Sequence, residues 1–180
     1  NKFRFGIYIL FSYLAYILIY LEFFQTGQLL QDDWSIAENS YYSKTILSRF
    51  DTYFNGFITR PIGALWLSLI SVFEYDFKKY FFINITIYYI FNILIFKIFA
   101  NKYNISVASI IFILLLFPNL NSTNIFSPAA QSLGVISLFF WSISFYLIYF
   151  GTKENNNKKI YISWVFFIIS VLTYEISFIL

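Results

Sequence analysis

Apolar residues in this chain gather into long unbroken runs, and polar residues into the short pieces between them. Runs of this kind cover about Phe5 to Phe24, Tyr80 to Ala100, Ile105 to Phe117, Ala130 to Phe150, and from Tyr161 to the end at Leu180. They are hydrophobic all round, with no single apolar stripe, and most approach the roughly 20 residues that a helix needs to cross a bilayer. The third run is short and is stopped by Pro118. A membrane β-barrel would need segments of about ten alternating residues, and Ile105 to Phe117 does not alternate. The expected fold class is therefore all-α, a polytopic transmembrane helical bundle forming one domain over residues 1–180, with no internal repeat.

The run Pro61 to Phe73 is too short to span, and it decides the topology because every later loop changes side with it. Basic residues favour the cytoplasmic side. If the run does not cross, Lys2, Arg4, Lys97, Lys102, Lys153, Lys158 and Lys159 lie inside and five basic residues outside; if it crosses, only Lys2, Arg4, Lys78 and Lys79 remain inside. The first arrangement wins. It gives five spans with the amino terminus inside, and Pro61 to Phe73 becomes a re-entrant or interfacial helix on the outer face. The whole stretch 25–79 is then an outer loop. Within it Ile46, Leu47, Phe50, Tyr53 and Phe54 recur at helical spacing, with Lys44, Ser48 and Asp51 opposite, which predicts an amphipathic helix lying in the interface.

Composition agrees with a lipid environment. Of 180 residues, 59% are hydrophobic and 12% charged, against roughly 25% charged in an ordinary soluble domain. Some of the 25% aromatic content reflects a bias towards Ile, Phe, Tyr, Asn and Lys of the kind AT-rich coding produces. The net charge of +3 is carried at segment ends, which suits orientation in a membrane and not nucleic-acid binding. Cys, His and Met are all absent, so thiol nucleophiles, disulfides, thiolate metal sites and histidine bases are excluded from these residues. With no Met at the start, and Leu180 inside an apolar run, the expectation is an amino-terminal fragment of a longer chain.

Candidate chemistry lies in the outer loop. Gln31-Asp32-Asp33-Trp34 places an acidic pair just beyond the first span. Adjacent carboxylates repel, so one holds its proton more tightly or both share a cation, and either state suits a base near a membrane surface. The plainer reading is a turn in which one Asp caps the next helix. Arg49 and Arg60 are of the type that clamps a phosphate bidentately; the plainer reading, the better one for Arg49 taken alone, is a headgroup anchor. Arg60 precedes Pro61 at the mouth of the short helix. Glu175 is the acid of the last span, about 21 Å across it from Tyr161. An intramembrane acid is a functional candidate, or else a structural hydrogen bond to a neighbour. Glu22 reads as interfacial, and Asn84 and Thr86 as packing. The second outer loop holds Asn119, Asn121, Ser122, Thr123 and Asn124, neutral groups of the kind that read sugar hydroxyls. No cofactor is required; a divalent cation at the Asp pair is the one candidate.

The order of these pieces resembles the integral-membrane glycosyltransferases of the GT-C fold, especially bacterial glucosyltransferases that modify O-antigen and related surface polysaccharides. The resemblance rests on Asp32-Asp33-Trp34 after the first span, Arg60-Pro61-Ile62-Gly63 leading into a short juxtamembrane helix, and Tyr174-Glu175 in a later span. It implies an enzyme of the bacterial inner membrane with its active site facing outward. The partners would be a polyprenyl-phosphate-linked sugar, a saccharide or lipid-linked glycan acceptor, and membrane lipid. One of Asp32 and Asp33, with Asp32 preferred, would be the general base; Arg60 would neutralise the departing phosphate, with Arg49 also on the substrate side, and Glu175 would bind sugar. Many relatives carry an acid in the second outer loop, and residues 119–128 have none. The alternatives are a polysaccharide polymerase, ligase or flippase-like transporter in which Glu175 and the arginines line a path, and a scaffold whose loop has no chemistry.

Overall fold

The computed structural model describes residues 2–21, 31–56, 58–116 and 132–174. Among them are eight α-helices, a 3₁₀ turn and no strand. In chain order these are α1 (Lys2–Ile19), α2 (Gln31–Tyr42), α3 (Ile46–Gly56), α4 (Pro61–Ile70) followed by the 3₁₀ turn Ser71–Phe73, α5 (Phe77–Lys102), α6 (Ile105–Leu116), α7 (Ser132–Lys153) and α8 (Asn157–Thr173). The all-helical expectation holds. By length and composition two helices can cross a membrane, α5 with 26 residues and α7 with 22, about 39 and 33 Å long against a hydrocarbon core of roughly 30 Å.

Local sequence explains where the helices start and stop. Asp76 caps α5, its carboxylate accepting from Lys79 N at 3.3 Å and pairing with Lys79 Nζ at 3.0 Å. The Lys79 side chain, with help from the backbone N–H groups of that turn, holds the Asp76 carboxyl below its ordinary value. Asn104 caps α6 by accepting from Val107 N at 2.8 Å. Between α7 and α8, Asn156 N donates to Gly151 O at 2.8 Å and Asn155 N to Thr152 O at 3.3 Å, with Asn155 at φ 50°. These paired bonds around a left-handed residue form a Schellman stop, which Asn tolerates better than most residues. Asn156 then caps α8 through Lys159 N. The chain turns so tightly here that a Cβ on Gly151 would meet Ile160 Cγ1 at 3.0 Å.

Helices α7 and α8 make the most extensive pairing, and α5 packs on both α6 and α7. Small hydroxyl residues line the α7–α8 seam: Ser137 Oγ donates to Ser170 O at 3.0 Å and Ser170 Oγ donates back to Ser137 O at 2.8 Å. Small side chains let helix backbones approach, and reciprocal hydrogen bonds satisfy the hydroxyls without water. A second core gathers Tyr16 of α1 and Tyr20 just after it, Ala64 and Leu67 of α4, Tyr80, Phe81 and Tyr89 of α5, and Leu133 of α7. Tyr13 and Thr86 hydroxyls join α1 to α5 at 2.7 Å.

Two helices depart from the sequence expectation. The last one begins at Asn157, inside the polar string, and ends at Thr173, with Tyr174 in extended backbone at φ −161° and ψ 130°. It stops where the Thr173 carbonyl abuts Gly63 of α4, so close that a Cβ there would lie 2.6 Å from the oxygen. Glu175, expected inside that helix, lies outside the described residues, as do Glu22 and residues 117–131. In α3 the apolar stripe does not act as one face. Arg49 and Tyr53 are its buried residues, Phe50 and Phe54 stack beside them with ring centroids 5.5 Å apart, and Ile46 and Leu47 are exposed. Docking of α3 onto α4 rotates the polar Arg49 inward, a choice that tertiary contacts make and apolar spacing does not.

Candidate functional site

The acidic pair occupies the first turn of α2, where the helix dipole favours negative charge. Asp33 is completely buried, and Ile36 and Ala37, on the same side of the helix, are buried with it. Nothing is described for the Asp32 side chain. Arg49 of α3 is also buried, and its Nε donates to Ser43 O at 2.7 Å, tying α3 to the segment after α2. One helical turn further on, the Tyr53 hydroxyl donates to Ile36 O at 3.0 Å. Burial pushes the Tyr53 hydroxyl pKa up, with Ser71 and Arg49 pulling the other way.

From the opposite side α5 contributes Tyr80, whose buried hydroxyl feels the charges of Arg49, Asp33 and Glu74. Beneath lies a hydroxyl layer: Ser68 and Ser71 are both fully buried, and Ser71 Oγ donates to Ser68 O at 3.0 Å. Asp33, Arg49, Tyr53, Ser71 and Tyr80, drawn from α2, α3, the 3₁₀ turn and α5, thus form one buried polar cluster. Such a cluster carries charge in a low dielectric, where each interaction is stronger than in water and each missing partner costs more.

Trp34, next to Asp33 in sequence, belongs to an exposed aromatic group. Trp34 and Tyr75 pack with ring centroids 5.8 Å apart and planes tilted by 44°, and the Tyr41 ring lies 6.5 Å from Tyr75. All three rings are exposed. Tyr75 reaches this position through a tight turn in which Asp76 N donates to Phe73 O at 2.9 Å and Glu74 adopts φ 50° and ψ −115°. Those angles match the first central position of a type II′ turn, normally held by glycine.

Arg60 belongs to a different element from Arg49. It precedes Pro61 at the start of α4, and its guanidinium carbon lies 4.5 Å over the Tyr174 ring. Gly63, one turn on, lets Thr173 approach. The fold therefore brings Arg60-Pro61-Ile62-Gly63 against Thr173-Tyr174, the residues immediately before Glu175, across more than half of the sequence. Of the expected site residues, Asp33 and Arg49 share one cluster and Arg60 meets the end of α8.

Sequence reasoning missed Tyr53, Tyr80 and Ser71 as members of the polar cluster. Tyr53 had a signal, its i, i+4 spacing from Arg49, but it counted as part of an apolar stripe. Tyr80 looked like the first residue of a span. Among the described residues no three carboxylates converge to hold a metal ion. No family model, curated protein or solved structure matches the chain.

Proposed function

We propose that the chain belongs to a polytopic membrane glycosyltransferase, which moves a sugar from a polyprenyl-phosphate donor to an acceptor hydroxyl on the non-cytoplasmic face of a bacterial inner membrane. The observation that carries this reading is the burial of both Asp33 and Arg49, whose charges both reach the buried Tyr80 hydroxyl, with the exposed Trp34 next to Asp33 in sequence. Keeping a carboxylate fully buried is costly unless charge and hydrogen bonding compensate, and such investments mark functional sites. In this reading α1, α5, α6, α7 and α8 cross the bilayer, while α2 to α4 lie at its outer surface.

In the proposed step Asp32 takes the proton from the acceptor hydroxyl as its oxygen bonds to the anomeric carbon, and the bond from that carbon to the phosphate oxygen breaks. Asp33 positions the pair through its electrostatic neighbours, and solvent does not reach it. Arg60, held over Tyr174, neutralises the departing phosphate, with Glu175 following in sequence to hold sugar hydroxyls. The flat faces of Trp34 and Tyr75 suit the apolar faces of a sugar ring. No step requires a metal ion, although a divalent cation at the acidic pair is compatible with it.

The test is transfer of labelled sugar from polyprenyl phosphate in membranes, comparing wild type with Asp32→Asn, Asp33→Asn and Glu175→Gln at matched expression. Removal of a general base should lower the rate by roughly 10²- to 10⁴-fold with donor binding kept. Unchanged transfer in both Asp variants would sink the mechanism. Dependence on Glu175 alone would favour a transporter or flippase for lipid-linked sugars.

A further inference from the structure

A cavity of about 900 Å³ lies between α1, α5, α6 and α7. Its walls are largely apolar, Ile93 and Phe96 from α5, Phe112 from α6 and Phe150 from α7. Along α5 the bordering residues run from Tyr89 to Asn101 at helical spacing, a length of about 18 Å. Half of a hydrocarbon core of roughly 30 Å is about 15 Å, so the groove matches the depth of one leaflet. At one end Ser12 and Tyr89 share a hydrogen bond and the Tyr89 hydroxyl also bonds Ile9 O at 2.8 Å, closing α1 onto α5. Lys97 lines the groove one turn before Asn101, near its other end.

Charge decides what fits. Lys97 is half-buried on the apolar helix α5 and brings a positive charge to the wall of the groove. Asn101 Oδ1 accepts from Lys153 Nζ at 2.5 Å, which brings a second ammonium to the same end, and among the described residues no Asp or Glu lines the cavity. An apolar slot one leaflet deep, with two cations at its mouth, is complementary to an acyl chain that carries an anionic head. From these features we infer that the groove is a binding site for an anionic phospholipid of the cytoplasmic leaflet, with its phosphodiester at Lys97 and Lys153 and one chain along Ile93, Phe96 and Phe112. The inference rests on the membrane orientation proposed above, and is independent of the transfer reaction.

The probe is phosphatidylglycerol with a photoreactive acyl chain, compared with the matching phosphatidylcholine, in nanodiscs holding the protein. Peptides of α5 and α6 should be labelled about fivefold more by the anionic lipid, what one lysine at an anionic surface is worth. Lys97→Gln should remove that preference and Lys97→Arg should keep it. Equal labelling by both lipids, unchanged in Lys97→Gln, would overturn the site; so would crosslinks showing another helix or a second copy seated in the groove. Release of the protein by an alkaline carbonate wash would overturn the membrane orientation itself, and the inference with it. Retention in the membrane with equal labelling would remove the inference alone.

Discussion

Asn92 has no exposed surface, and among the described residues neither atom of its side-chain amide has a hydrogen-bond partner. It sits beside the apolar group Phe91, Ile95 and Ile98. An unsatisfied buried polar group costs about 1–3 kcal/mol, while an apolar side chain of similar shape leaves nothing unmade. Asn92→Leu should therefore stabilise the protein by about 1–2 kcal/mol, read as a higher melting temperature in detergent. A lower one would mean that the amide finds its partner on a helix beyond those described. Tyr53 is the opposite case. Its hydroxyl is bonded to Ile36 O, and burial keeps the phenol protonated at neutral pH, so Tyr53→Phe should cost about 1 kcal/mol and speed proteolysis between α2 and α3.

At the scale of elements, the meeting of α4 with the end of α8 turns on Gly63. Any side chain there would press on the Thr173 carbonyl, which is backbone and cannot swing aside. Gly63→Ala should destabilise by about 1–3 kcal/mol, as overpacking generally does, and should loosen the Arg60–Tyr174 contact, so that transfer falls along with stability. Gly56→Ala, where a Cβ meets nothing within 4 Å, is the control and should change neither. The cap of α5 has a pH signature. The folded carboxyl of Asp76 titrates below its ordinary value of 3.8, so its contribution is present above that value and is lost as pH falls through the folded pKa. Asp76→Ala should remove about 0.5–2 kcal/mol at neutral pH, with the difference from wild type vanishing in acid.

For the whole molecule the decisive question is whether α4 crosses. Its 10 residues reach about 15 Å, half of the hydrocarbon, and its buried side faces α3 and α8. The proposed orientation puts Ser48 outside and Thr152 inside. Because the sequence has no Cys, Ser48→Cys and Thr152→Cys each introduce a unique thiol here. An impermeant thiol reagent applied to intact cells should label the first and not the second; labelling of both, or only of Thr152→Cys, would overturn the topology.

Apolar runs determined that these residues form helices, and local caps such as Asp76 and Asn104 set where some of them begin, because backbone and neighbouring side chains alone decide those features. The same runs read as five spans, of which the described residues form two helices, α5 and α7, long and apolar enough to cross a bilayer, and they marked α4 as too short to do so. They were silent on which face of each helix turns inward. Arg49 looked like a surface anchor and is buried; Tyr53 and Tyr80 looked apolar and join a polar cluster; the last helix looked unbroken to Leu180 and stops at Thr173. Each of these depends on residues far away in sequence, Gly63 against Thr173 and Asp33 near Tyr80, and only packing brings such partners together. An apolar pattern records what a segment avoids, water, while a site is made by what its side chains meet.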